Sequence, residues 1–182
     1  DISFYNLKKG DNTLTIIEPS RYPEKLSSLY YTASLADLAI LVIDELNAKL
    51  GETILMLNAA GITEGVLILR NYIDRNQIAP LIKGTVLEQY CVLPDDPVNL
   101  REWLLNHVAE KPSKSSEEDG IVPIDHHFNV KGIGTVILGS VQKGTIHRHG
   151  QLTVHPIGKQ VQVRSIQMHD DDAEEASAGN RV

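Results

Sequence analysis

The chain has 182 residues, a formal net charge of −7, 42% hydrophobic and 23% charged residues, and a single cysteine, Cys91. This is an ordinary soluble globular composition, and its acidic balance excludes wholesale coating of nucleic acid. One cysteine excludes an internal disulfide and fits a reducing, cytoplasmic setting, and no apolar run approaches the roughly 18 residues that a membrane span needs.

In chain order, Thr13 to Ile17 reads as a strand ending at Glu18-Pro19. Pro23 to Tyr31 reads as a helix, with Leu26, Leu29 and Tyr30 at helical spacing. The run Leu38 to Ile43 is continuously apolar, as expected of a strand covered on both faces in a parallel sheet. Glu52 to Ala60 is expected to be a helix closed by Gly61, followed by a buried strand from Gly65 to Leu69. A third apolar strand from Gln89 to Leu93 places Cys91 as a buried, inert thiol. Asp96-Pro97 then opens a helix with an N-cap and a first-turn proline. Leu100, Leu104 and Val108 line one face of it, and Trp103 is expected in the core. Alternation of strand and helix predicts an α/β domain with a doubly wound parallel sheet over residues 1–109.

Residues 110–120 have no apolar periodicity and consist of linker residues, so a domain boundary is expected there. Beyond it the period changes to two. Val122 to Val130, Gly134 to Gln142, Gln151 to Val154 and Val161 to Met168 read as short strands, predicting an all-β antiparallel barrel over residues 121–182. In the last of these, Val161 and Val163 share one parity and Ile166 and Met168 the other, which predicts a bulge near Arg164-Ser165. The acidic run 170–175 reads as a solvated turn. The chain opens on Asp1 and closes on Gly179-Asn180-Arg181-Val182, and both ends read as cut from something longer.

Charge is unevenly spread. Residues 1–110 carry nine basic and fifteen acidic side chains, net −6, whereas residues 121–168 carry five basic against the single acid Asp125, net +4. The second half therefore offers a modest basic surface that suits a few phosphates.

The stretch 128–144, FNVKGIGTVILGSVQKG, holds Gly132, Gly134, Gly139 and Gly144. A phosphate-binding loop requires a lysine after its last glycine and a helix whose amides face the anion. Neither follows here, so the glycines read as turns between barrel strands. Six of the seven histidines lie in the second half, and His147 and His149 share strand parity, but no second pair completes a four-ligand shell. The expectation is no metal site and no catalytic residue. Asn71-Tyr72-Ile73-Asp74 follows a buried strand, where α/β folds place ligand contacts.

Several ordered motifs resemble domain 2 of translational GTPases of the elongation factor Tu type. These are Val130-Lys-Gly-Ile-Gly-Thr-Val-Ile-Leu-Gly139, Lys143-Gly144, Val163-Arg-Ser-Ile-Gln-Met-His169 and Ala178-Gly-Asn-Arg-Val182. The wording is most similar to archaeal SelB-like translation elongation factors. The first half resembles the back part of a P-loop GTPase domain in a diverged group of these factors that includes EF-Pyl.

The resemblance implies that Leu14 to Leu26 stands where the family has D-x-P-G-H-E. Glu18 then replaces the aspartate that holds the magnesium water, Arg21 the glycine that senses the γ-phosphate, and Tyr22 the histidine that positions the hydrolytic water. Asn71 and Asp74 match N-K-x-D as nucleotide-binding residues, with the lysine lost. The later S-A-K motif falls at Leu93-Pro94-Asp95 and is unrecognisable, and the phosphate loop is expected upstream of residue 1. Single-donor losses of about 3–4 kcal/mol imply a weak or inactive GTPase with GTP or GDP and magnesium as its cofactors. The implied partners are aminoacyl-tRNA and the ribosome, and no membrane. Val130, Gly132 and Val136 would surround the terminal adenosine with Gln167, and His169 and Arg181 would lie near the aminoacyl group. An alternative reading is a ribosome-associated regulatory or scaffold protein that carries no tRNA.

Overall fold

The computed structural model describes residues 2–9, 12–110, 119–168 and 171–182. It divides into two compact units, Asp1–Ala109 and Glu110–Val182.

The first unit opens with an antiparallel hairpin of β1 (Ser3–Lys9) and β2 (Asn12–Glu18), in which Ser3 pairs with Glu18 and Lys9 with Asn12. The sequence reading found β2 and missed β1, whose Asn6 and Lys8-Lys9 break the apolar pattern. Helix α1 (Leu26–Leu35) follows, then β3 (Ala39–Ile43), α2 (Ala48–Ala60) and β4 (Gly65–Leu69). Next come α3 (Arg75–Ile82), a 3₁₀ turn over Val86–Gln89, β5 (Cys91–Leu93) and α4 (Pro97–Glu110). The sheet order is β3-β4-β5 and both pairings are parallel, with Ala39 opposite Gly65 and Val66 opposite Cys91.

The central strand explains the core. Val66, Leu67 and Ile68 of β4 are buried side by side, as a strand flanked by a neighbour on each edge and covered on both faces must be. Ala33, Ile54 and Leu57 from the helices and Ile78, Ile82 and Tyr90 pack in the same cluster. Asn47 caps α2 by accepting the Leu50 amide, and Gly61 ends it in the left-handed conformation at φ 71, where a glycine carries no Cβ penalty. Helix α3 had no sequence prediction because its N-cap, Asp74, was assigned to the N-x-x-D reading and Pro80 lies inside it.

Three expectations are corrected here. Cys91 is exposed, because β5 pairs with β4 alone among the described residues and so forms an edge. Leu26 and Tyr30 are also exposed, and α1 turns Ser28, Leu29 and Ala33 inward instead. Trp103 is only partly buried and stacks on His107 with ring centroids 4.9 Å apart, while Leu104 and Leu105 take the core positions of α4.

The strand pairs of the second unit are antiparallel, and an isolated parallel bridge joins Asp119 to Thr145. Strands β6 (Ile124–Val130) and β7 (Gly134–Gly139) pair, as do β8 (Thr145–His147) with β13 (Glu175–Ser177). Likewise β9 (Gln151–Val154) pairs with β10 (Lys159–Gln162), and β11 (Ile166–Met168) with β12 (Asp171–Ala173). Val141, Ile146, Ile166 and Ala176 form its core. Among the described residues these ladders do not close into one continuous barrel, since most strands are three or four residues long. The expected single strand Val161 to Met168 is interrupted at 163–165, where the parity switch falls. The acidic run was expected to be a turn, yet β12 lies within it and β13 begins at its last residue: Asp171 and Asp172 pair against Met168 and Gln167 and stay exposed on a strand.

Gly65 gives a direct test of core packing. A Cβ there would fall inside the ring of Tyr90, which is buried, has its hydroxyl pushed up to about pKa 12 by burial, and donates to the Ile62 carbonyl at 2.6 Å. The ring cannot withdraw without breaking that bond. Gly65→Ala is therefore expected to cost about 1–3 kcal/mol in urea unfolding, against the small gain alanine gives at an unstrained strand position.

Candidate functional site

The β6–β7 hairpin gathers three of the expected residues. Val130 pairs with Gly134 and Val136 with Phe128, so strand alternation puts Val130, Phe128 and Val136 on one face. Val130 and Val136 are half-buried, while Phe128 is 47% exposed. The turn between the strands holds Gly132 at φ 86, a conformation that excludes most side chains, and a Cβ on it would meet nothing within 4 Å. The result is a small apolar strip beside bare backbone. Phe128 was missed by the sequence reading, although its even spacing from Val130 marks it as a neighbour on the same face.

Gln167 lies exposed on β11 and donates from Nε2 to Asp172 Oδ1 at 3.1 Å, across the β11–β12 pair. Arg164, just ahead of β11, reaches the hairpin turn: its Nη1 donates to the Ile133 carbonyl at 2.8 Å. His169 lies outside the described residues.

Arg181 belongs to a different cluster. Its Nη1 and Nη2 donate to Asp125 Oδ2 and Oδ1 at 2.7 and 3.2 Å, and Asp125 Oδ1 also lies 2.8 Å from His126 Nδ1. The two paired side chains are 17% and 13% exposed, and the pair sits where the β6–β7 register shifts between Ile124 and His126. Asp125 precedes Val130 by five residues, about 17 Å along a strand. The apolar strip and the charged cluster thus occupy opposite ends of one hairpin. In the sequence Asp125 and His126 are adjacent, with no serine or cysteine motif beside them. Their partner, 56 positions away, is visible only in the fold.

In the first unit, Asn71 and Tyr72 both have left-handed backbone at φ 52 and 60, and Tyr72 is fully exposed. Asn71 Nδ2 donates to the Asp44 carbonyl at 2.9 Å. Asp74 Oδ1 accepts the amides of Asn76 and Gln77 at 2.8 and 3.0 Å, and Gln77 Oε1 accepts the Asp74 amide, completing a capping box. Asp74 also lines an open groove with Leu69, Ile73, Leu93 and Pro94. Arg70 forks onto Asp95 at 2.8 and 2.9 Å, and this hydrogen bonding holds the Asp95 carboxyl below its usual range.

Glu18 Oε2 accepts from the Tyr5 hydroxyl at 3.1 Å. The Tyr22 hydroxyl lies 2.8 Å from the Lys49 carbonyl and 3.0 Å from Glu52 Oε2. Both are acceptors, so it donates to one at a time; burial is the main cause raising its pKa. Among the described residues no group of three or more His, Cys, Asp or Glu side chains is placed to hold a metal ion. No helix there is long and apolar enough to cross a membrane.

No family model matches the chain. An uncharacterized protein of Methanocaldococcus jannaschii is 41% identical over 182 residues, covering all of this chain and 58% of the relative. The selenocysteine-specific elongation factor of the same organism is 26% identical over 205 residues, covering all of this chain and 43% of that protein. The crystal structure of SelB from Methanococcus maripaludis, in complex with the GTP analogue GPPNHP, superposes with a TM-score of 0.75 at 24% identity, covering 100% of this chain and 44% of that one. The chain is SelB-like. It spans about half the length of the curated relatives it matches.

In this SelB-like chain the Asp125–Arg181 fork should be intolerant of change. Asp125→Ala removes the bidentate carboxylate from a mostly buried guanidinium and is expected to cost about 3 kcal/mol in urea unfolding. Arg181→Lys should recover little of the pairing energy, because an ammonium cannot span both carboxylate oxygens.

Proposed function

We propose that this chain binds the 3′ end of aminoacyl-tRNA and docks on the ribosome, with a guanine-nucleotide site whose hydrolytic machinery is eroded. Likeness to SelB and to a selenocysteine-specific elongation factor supports a translation-factor role. The observation that carries the finer reading is the hairpin itself. Val130, Phe128 and Val136 offer an apolar face beside the bare turn at Gly132, where a terminal adenine can pack on backbone. Gln167 on β11 is the candidate polar contact to the base. At the other end of the hairpin, the Arg181 guanidinium with Asp125 and His126 is a charged cluster suited to the aminoacyl moiety.

Erosion of the GTPase site is supported by what replaces its parts. Tyr22 is hydrogen-bonded to the start of α2, and the Glu18 carboxylate accepts from Tyr5. Guanine contact would run through Asn71 and Asp74; GTP or GDP, when bound with magnesium, would supply the phosphate signal that translational GTPases sense.

Filter binding tests the tRNA reading. Charged tRNA should bind more tightly than uncharged tRNA at low salt, and Gln167→Ala should weaken the charged species on the order of fivefold. Gly132→Val should weaken it further, since it adds side-chain bulk and strain at φ 86. Equal affinity for the two tRNAs would remove the 3′-pocket claim; ribosome co-sedimentation without tRNA retention would favour the scaffold reading.

Nucleotide contact is tested separately by Asp74→Asn. Asparagine caps helices as well as aspartate does, so the unfolding midpoint should stay within about 0.5 kcal/mol of the parent. Fluorescent GDP binding should nevertheless drop, because the charged acceptor is gone. Unchanged GDP affinity would show that Asp74 serves only as the cap of α3.

A further inference from the structure

The second unit has three arginines among its described residues, and two of them are neutralised. Arg148 pairs with Glu174 at 2.6 Å and Arg181 with Asp125 at 2.7 Å. Arg164 differs: its one protein partner there is a neutral carbonyl, that of Ile133, held through Nη1. Its charge is therefore uncompensated, and the planar guanidinium is held by one corner while the other donors remain for a ligand.

What it is held against matters as much. The break at 163–165 between β10 and β11 is where the parity of the strand switches, and Arg164 sits in the middle of it. Its Nη1 comes within 3.8 Å of the point where a Cβ on Gly134 would stand, at a residue with φ 110. That separation is ordinary van der Waals contact, so the guanidinium lies against the turn. Lys131 stands in the same turn, exposed, with no carboxylate in salt-bridge range among the described residues. Two uncompensated cations thus flank the bare backbone of Gly132. An anchored guanidinium, a lysine and a glycine turn together make a seat for a single phosphate.

We propose that Arg164, with Lys131, grips the phosphodiester just upstream of the terminal adenosine, so that the base is delivered onto the Val130–Val136 face. This rests on the tRNA-binding reading above. Arg164 has two roles in it: it fastens the β6–β7 turn to the strand that carries Gln167, and it neutralises the incoming phosphate. The second role is what a purely structural arginine would lack.

The salt dependence of binding separates these roles. Fluorescence anisotropy with aminoacyl-tRNA should be measured on the full chain between about 50 and 200 mM salt, for the parent, Arg164→Ala, Arg164→Lys and Lys131→Ala. Each removed phosphate contact on a single strand lowers the slope of log K against log salt by about 0.7. Arg164→Ala and Lys131→Ala should each show that drop, with affinity at the lowest salt reduced on the order of tenfold for Arg164→Ala. Arg164→Lys keeps a charge and should keep the slope, while losing affinity through the missing fork. Lys131→Ala alters no described hydrogen bond, so it carries the test even if Arg164→Ala fails to fold. Parent-like slopes in both alanine variants, with a parent that binds, would overturn the phosphate seat and leave the tRNA reading standing. A parent that binds no aminoacyl-tRNA would remove both.

Discussion

The Asp125–Arg181 fork is the interaction on which the second unit most depends. It ties a bulge in β6 to the segment after β13, residues that meet only because the chain has returned on itself. Backbone bonds between Gly139 and Val182, and between Val141 and Asn180, run alongside it and dock that closing segment on β7. A half-buried ion pair of this kind adds little net stability over a well-packed apolar pair, because desolvation offsets most of the attraction. Its force is in register. An apolar closing segment could slide by two residues and still bury its face, whereas a bidentate fork accepts one alignment.

The same pair shows why part of the candidate site was legible in the sequence and part was not. Val130, Gly132 and Val136 are local. Like Gln167 and Arg181 they were assigned through resemblance, and a strand, a turn and a strand within seven residues bring them together. The fold sets Arg181 at the opposite end of the hairpin from Gly132. Asp125 and Phe128 carried no motif, and Arg164 lay within one without a role assigned to it. Each gains meaning from a partner 31 or more positions away, or from which face of β6 it occupies.

Fold legibility follows burial in the same way. Strand β4 is buried at Val66, Leu67 and Ile68 and was read with the bounds it has, because a strand shielded on both faces needs an unbroken apolar run. Edges escape this logic. β1 is polar enough to look like a loop, and β5 leaves Cys91 and Val92 exposed although the run Cys91 to Leu93 is apolar. The acidic strand β12 is the extreme case. Its aspartates belong to a ladder through backbone bonds that charge does not forbid, and hydropathy alone cannot see such a strand.

Electrostatics then separates what the two units can do. The first unit, net −6 over residues 1–110, repels a polyphosphate at long range, and its left-handed Asn71-Tyr72 loop presents a fully exposed aromatic ring rather than a cation. The second unit is acidic as a whole, with eight basic and ten acidic side chains, net −2, but residues 121–168 carry five cations against the single acid Asp125, which Arg181 already pairs, so an anionic polymer is attracted to that stretch alone. The attraction is modest, since few cations are left unpaired, and screening at physiological salt confines it to within about 8 Å. Under the proposed tRNA reading, long-range attraction alone would therefore not suffice, and short-range contacts along the β6–β7 hairpin would have to supply the binding.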